Sequence, residues 1–116
     1  MVHVRFAARD PGGANVLAAF LASCRGGFHY DIWTFPQATP VFDRAGLRCH
    51  EFSETSDRMA VHMAWRESPA ERLITGTSHY APFESLLWDE ARATGGCSLA
   101  VIDSWVNLKN RFLHGH

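Results

Sequence analysis

The sequence predicts a three-layer α/β fold: a parallel sheet of about five strands in the order 3-2-1-4-5, with helices on both faces. Three observations predict it. Short apolar runs alternate with helical segments as βαβαβαβαβ along the 116 residues, and strands joined through helices pair in parallel. Two stretches share one grammar of strand, Gly-containing turn and helix: Val2–Leu21 (VHVRFAARDPGGANVLAAFL) and Leu73–Leu87 (LITGTSHYAPFESLL). The run Cys97–Ile102 (CSLAVI) is nearly all apolar, as expected of a strand buried on both faces.

Taken in order, Val2, Val4, Phe6 and Ala8 alternate with His3, Arg5 and Ala7, a period-two pattern for a first strand. Pro11-Gly12-Gly13 breaks it, and Asp10 or Asn15 can cap the helix that follows. Within Ala14–Ser23, Val16, Leu17, Phe20 and Leu21 stand at helical spacing, and Arg25-Gly26-Gly27 ends the run. The second strand is Phe28–Phe35. Pro36 and Pro40 bound a loop into a short helix over Thr39–Ala45, closed by Gly46. Leu47–Phe52 reads as a third strand, with His50 and Glu51 poorly suited to a central place. The hydroxyls and acids of Ser53–Ser56 supply capping chemistry for a helix from Asp57 to Arg66. There Met59, Val61, Met63 and Trp65 form no clean 3.6-residue stripe. Arg72–Thr75 is a short fourth strand, Gly76-Thr77-Ser78 a turn, and Pro82 suits the first turn of the next helix. Phe83, Leu86, Leu87 and Ala91 share one face of that helix, while Glu84, Asp89, Glu90 and Arg92 lie largely on the other. Gly95-Gly96 stops it. Asp103-Ser104-Trp105 follows the fifth strand, and Val106–Leu113 trails after it.

Composition narrows the function classes. The length fits one domain with a real core, and 47% apolar with 20% charged residues is a globular profile. Eleven basic against twelve acidic residues, with no basic run, leave no electrostatic footprint for nucleic acid. No stretch approaches the ~20 apolar residues of a membrane span, nor is a signal-peptide layout present, so the expected location is cytoplasmic. Cys24, Cys49 and Cys97 are odd in number and form no C-x-x-C pair, so they are read as buried or half-buried thiols. The seven histidines have no metal-ligand spacing; no metal and no cofactor are expected.

In the predicted order, the strand sequence reverses between the first and fourth strands, and such a switch point is where α/β sheets bind ligands. Both Gly-containing turns fall there. Arg9-Asp10-Pro11-Gly12-Gly13-Ala14-Asn15 matches neither G-x-G-x-x-G nor a P-loop. Its glycines permit close backbone approach, and Asn15 can hydrogen-bond a sugar or phosphate oxygen; the plainer alternative is a tight turn capped by Asp10. Gly76, Thr77 and Ser78 offer hydroxyls and N–H groups to a phosphate, or simply cap a helix. His79 is a weak candidate general base, more often merely exposed in such a place. Asp103 either contacts a ligand or caps the residues after it, and Trp105 either stacks on a sugar or base or belongs to the core or an interface. No Ser-His-Asp order or paired-carboxylate spacing stands out.

RDPGGAN after the first strand, LITGTS after the fourth, and the run Glu84–Phe112 (E-x-x-x-W-D-E-A-R … A-V-I-D-S-W-V-N-L-K-N-R-F) together resemble a bacterial family. It is the N-terminal Rossmann-like domain of proteins similar to GT-B-type glycosyltransferases and UDP-N-acetylglucosamine 2-epimerase-like enzymes. The resemblance implies a Rossmann-like domain that forms the N-terminal half of a two-domain architecture and lines the acceptor side of a cleft. Gly12, Gly13, Asn15, Thr77, Ser78 and Asp103 would border that cleft. The implied ligand is a nucleotide-sugar or sugar phosphate, and the implied partner a second domain or a second copy, without which turnover is not expected. The competing expectation is a non-catalytic interaction module that exposes Trp88, Trp105 and Phe112 as an apolar patch. A nicotinamide oxidoreductase is disfavoured, because Phe35 and Pro36 stand where an acidic residue would end the second strand.

Overall fold

The computed structural model describes residues 2–24, 28–77 and 83–101. Five parallel strands, β1 (His3–Ala8), β2 (His29–Thr34), β3 (His50–Glu51), β4 (Arg72–Thr75) and β5 (Cys97–Ala100), lie in the order β3-β2-β1-β4-β5. Between them run α1 (Pro11–Ser23), α2 (Thr39–Arg44), α3 (Arg58–Glu67) and α4 (Phe83–Ala93). The expected Rossmann-like architecture and strand order are present. No helix among the described residues is long and apolar enough to cross a membrane.

The period-two pattern of β1 sorts the layers. Val4, Phe6 and Ala8 meet α1 and α2 through Leu17, Leu21, Val41 and Phe42. On the other face Ala7 joins Trp33, Leu73, Val61, Trp65, Phe83 and Leu87 under α3 and α4. Right-handed crossovers produce this division, since β1→β2→β3 travels one way and β3→β4→β5 the other. Each fully buried large side chain contributes about 1.5–3 kcal/mol through area removed from water.

Several expectations change. β5 was expected to be buried on both faces; instead Cys97, Ser98 and Leu99 are exposed, Leu99 by 60%. The reason is position, because β5 is the last strand in the sheet and only β4 pairs with it among the described residues. For the same reason Cys97 is exposed, whereas Cys24 and Cys49 are half-buried as expected. β3 shrinks to two residues at the opposite edge. α1 begins at Pro11, so Gly12 and Gly13 lie in its first turn rather than in a loop before it. Pro at the first helical position sacrifices no hydrogen bond. Glu84, assigned to a polar face, is buried and accepts the backbone N–H of Arg9 at 3.0 Å.

Arg5 is the largest departure from simple alternation. It is fully buried, with its guanidinium 3.8 Å from the ring centre of Trp33 and 5.1 Å from that of Trp65. Nε and Nη2 donate to the two carboxylate oxygens of Asp31 at 3.0 and 2.8 Å, and Nη1 donates to the Ser68 carbonyl. A buried cation survives only when its donors are used this fully.

Candidate ligand pocket at the carboxyl rim

All strands run parallel, so every strand-to-helix connection opens at the same rim. Arg9 follows β1, Phe35 follows β2, Glu54–Asp57 connects β3 to α3, and Phe83 begins α4. Together with Arg58, Val61 and Leu86 they line a pocket of about 330 Å³, near the lower end of small-ligand sites. One wall is apolar: Phe35 and Phe83 meet edge to face with centroids 4.8 Å apart, beside Val61 and Leu86. The rest of the lining is polar or charged: Arg9, Glu54, Ser56, Asp57 and Arg58.

Each charged group has a local cause. Asp57 is the N-cap of α3 and accepts the Ala60 N–H at 3.0 Å, and with Arg58 it brings the start of that helix into the pocket lining. Arg9 lies over Phe35, 5.1 Å from the ring centre, and donates to Glu54 Oε2 at 3.3 Å. The Gln37 amide, turned with its oxygen toward Arg9, accepts from Nη1 at 2.8 Å and donates to Glu54. The Arg9 head is therefore held in place by a carboxylate, an amide and an aromatic ring. Arg58, exposed at the first turn of α3, forms no ion pair with any described residue. It is the group there with donors to spare.

The two turns expected to flank the site are neighbours. A Cβ built on Gly13 would lie 3.1 Å from the Gly76 Cα, and one built on Gly76 would lie 2.9 Å from the Gly13 Cα. These glycines let the start of α1 press directly on the end of β4, with no hollow between them. Neither has a positive φ; among the described glycines only Gly46 and Gly95 do, after α2 and α4. The open space lies to one side, on the α3/α4 face.

Of the residues expected to bind ligand, Arg9 lines this pocket. Asp10 is the N-cap of α1 by backbone position, makes no side-chain cap bond, and has a carboxylate oxygen 3.8 Å from Arg9 Nη1. Gly12 is half-buried, while Gly13, Gly76 and Thr77 are buried; Asn15 is exposed on α1. Ser78, His79, Asp103 and Trp105 lie outside the described residues. Trp88 is half-buried and donates its indole N–H to Thr75 Oγ1 at 2.8 Å, so the part of the expected patch that is described packs inward. Apart from Arg9, sequence reasoning missed the whole pocket lining, Phe35 and Phe83 as well as the Glu54–Arg58 stretch. The available signal was topological: the β3–α3 connection had to reach the same rim as the Gly-containing turns.

An adjoining groove of about 480 Å³ shares Asp57 and Arg58 and adds Met59, His62 and Glu90. His62 Nδ1 lies 2.9 and 3.0 Å from the Glu90 carboxylate oxygens, tying α3 to α4. No group of three or more His, Cys, Asp or Glu side chains among the described residues is placed to hold a metal ion. No protein-family model matches the chain, and no curated protein matches it significantly.

Proposed function

We propose that this is a sugar-nucleotide-handling domain, glycosyltransferase-like or epimerase-like, whose rim pocket takes a sugar phosphate or a nucleotide-sugar. The observation that carries the reading is the pocket at the carboxyl rim, whose lining mixes aromatic and aliphatic side chains with charged and hydroxyl groups. A sugar or base ring suits the Phe35 and Phe83 wall, hydroxyls suit Glu54 and Ser56, and an anionic group suits Arg58. The location agrees with ligand binding at the carboxyl ends of parallel strands beside a switch point. No residue is assigned a catalytic role, and completion of a catalytic site by a second domain is part of the proposal.

Titration with UDP-sugars and sugar phosphates, followed by backbone amide shifts, tests it. The expected shifts centre on Arg9, Glu54–Arg58 and Phe83–Leu86, and Arg58→Ala weakens binding roughly tenfold, the scale of one charge-assisted hydrogen bond. Shifts confined to other surfaces reject the reading. A second reading, a non-catalytic interaction module, draws on the exposed apolar side chains of β5. It requires a stable dimer or partner complex and no response to either ligand class.

A further inference from the structure

Resting on the sugar-nucleotide reading above, we infer that the groove between α3 and α4 is a second subsite of the rim pocket, and that Arg58 holds the anionic bridge of a two-part ligand, a sugar joined through phosphate to a nucleoside. The rim pocket of about 330 Å³ and the groove of about 480 Å³ have Asp57 and Arg58 in common. Arg58 therefore stands at the junction of two cavities, where an anion with a ring system on either side fits both. The other charges lead to the same place. Arg9 is committed to Glu54 and to the Gln37 amide, Asp57 to the Ala60 N–H, and Glu90 to His62. Arg58 forms no ion pair with any described residue, so an anion entering either cavity meets its uncommitted cation at the junction.

Beyond Arg58 the groove offers acceptors and a soft apolar side chain. His62 follows Arg58 by one helical turn, ~6 Å along α3 on the same face. Its Nδ1 lies 3.0 and 2.9 Å from the two carboxylate oxygens of Glu90. In the neutral ring Nδ1 therefore carries the proton, and Nε2, hydrogen-bonded to no described residue, is left as an acceptor. Met59, 62% exposed, lines the same groove, and a thioether packs favourably on a ring. An acceptor nitrogen, a carboxylate and a thioether suit the N–H, hydroxyls and ring face of a nucleoside, and they disfavour a second anionic group there. The sugar then lies against Phe35 and Phe83, the phosphate bridge at Arg58, and the nucleoside over Met59 and His62. A sugar phosphate alone fills the rim pocket and leaves the groove empty.

Titration of the full chain with a UDP-sugar, with UDP and with the matching sugar phosphate separates the two subsites. Backbone amide shifts on adding the sugar phosphate are expected at the rim and Arg58 alone, those with UDP at Arg58, Met59, His62 and Glu90, and those with the UDP-sugar at both sets. Occupying both subsites with one molecule should make the UDP-sugar at least roughly tenfold tighter than the sugar phosphate. His62→Asn keeps an N–H for Glu90 and removes Nε2; it should weaken the UDP-sugar roughly fivefold, the scale of one hydrogen bond, and leave the sugar phosphate unchanged. Met59→Ala, at an exposed position outside the α3–α4 tie, should show the same split should His62→Asn disturb the fold. A sugar phosphate that binds the rim while the UDP-sugar gains neither affinity nor groove shifts, or variants that weaken both ligands equally, would overturn the second subsite and leave the rim reading standing. Absence of rim shifts with every ligand would overturn both.

Discussion

At the scale of single residues, two positions show physical roles that their residue types hide. Arg5 is a cation at the centre of an aromatic cluster, and Asp31 is the only carboxylate bonded to it among the described residues. Removing one partner of a buried pair leaves a charge without compensation, which costs about 3–5 kcal/mol; Asp31 is partly exposed, so Asp31→Ala should cost about 3 kcal/mol by urea denaturation. Arg5→Met, which removes the charge and keeps the stem volume, should cost less. Gly76→Ala forces a methyl to within 2.9 Å of the Gly13 Cα, and backbone displacement of that kind costs about 1–3 kcal/mol. The same assay detects it, with no ligand present. Cys49 is a third case: burial first, then the nearby Asp43 and Glu51 carboxylates, push its thiol up to about 11. The folded state therefore holds this proton more tightly than the unfolded chain. Its contribution to stability is complete below pH 9 and is lost as pH rises toward 11; Cys49→Ser should flatten that part of a stability–pH curve.

At the scale of elements, α3 shows how packing selects from an ambiguous pattern. Val61 and Trp65, four residues apart, are buried, while Met59 and Met63 are 62% and 56% exposed. The apparent four-member set was a two-member stripe and two surface methionines. Met63→Lys should accordingly change stability by less than about 0.5 kcal/mol. Asp57→Ala, which removes the side-chain bond to the Ala60 N–H, should cost about 1 kcal/mol and loosen the first turn that carries Arg58. Existence and order of the elements were legible because apolar runs, proline and glycine punctuate them clearly. The fate of β5 was not, since its composition is that of an interior strand and its exposure depends on which strands flank it.

At the scale of the whole molecule, two cores share one sheet. Strand β1 supplies Phe6 to one core and Ala7 to the other, so neither can melt without exposing the other. Urea unfolding should be one cooperative transition. Tryptophan fluorescence, to which Trp33, Trp65 and Trp88 on the α3/α4 face contribute, should coincide with far-UV circular dichroism, which samples every element. Separate midpoints would show that the faces unfold independently. The candidate pocket belongs to this scale too, because Arg9, Phe35, Arg58 and Phe83 are far apart in the chain and meet at one rim.

By itself the sequence determined the alternation of elements, the parallel sheet and its strand order, because these follow from local periodicity and the handedness of crossovers. It also determined that the turns at Gly13 and Gly76 would be neighbours. Only the tertiary structure decided what that proximity does. The glycines touch and close the space between them, while the loops after β2 and β3 open a pocket beside it. Local patterns specify which residues can form an element, but whether two backbones leave a gap or fill it depends on ångström-scale distances between elements that no single stretch encodes.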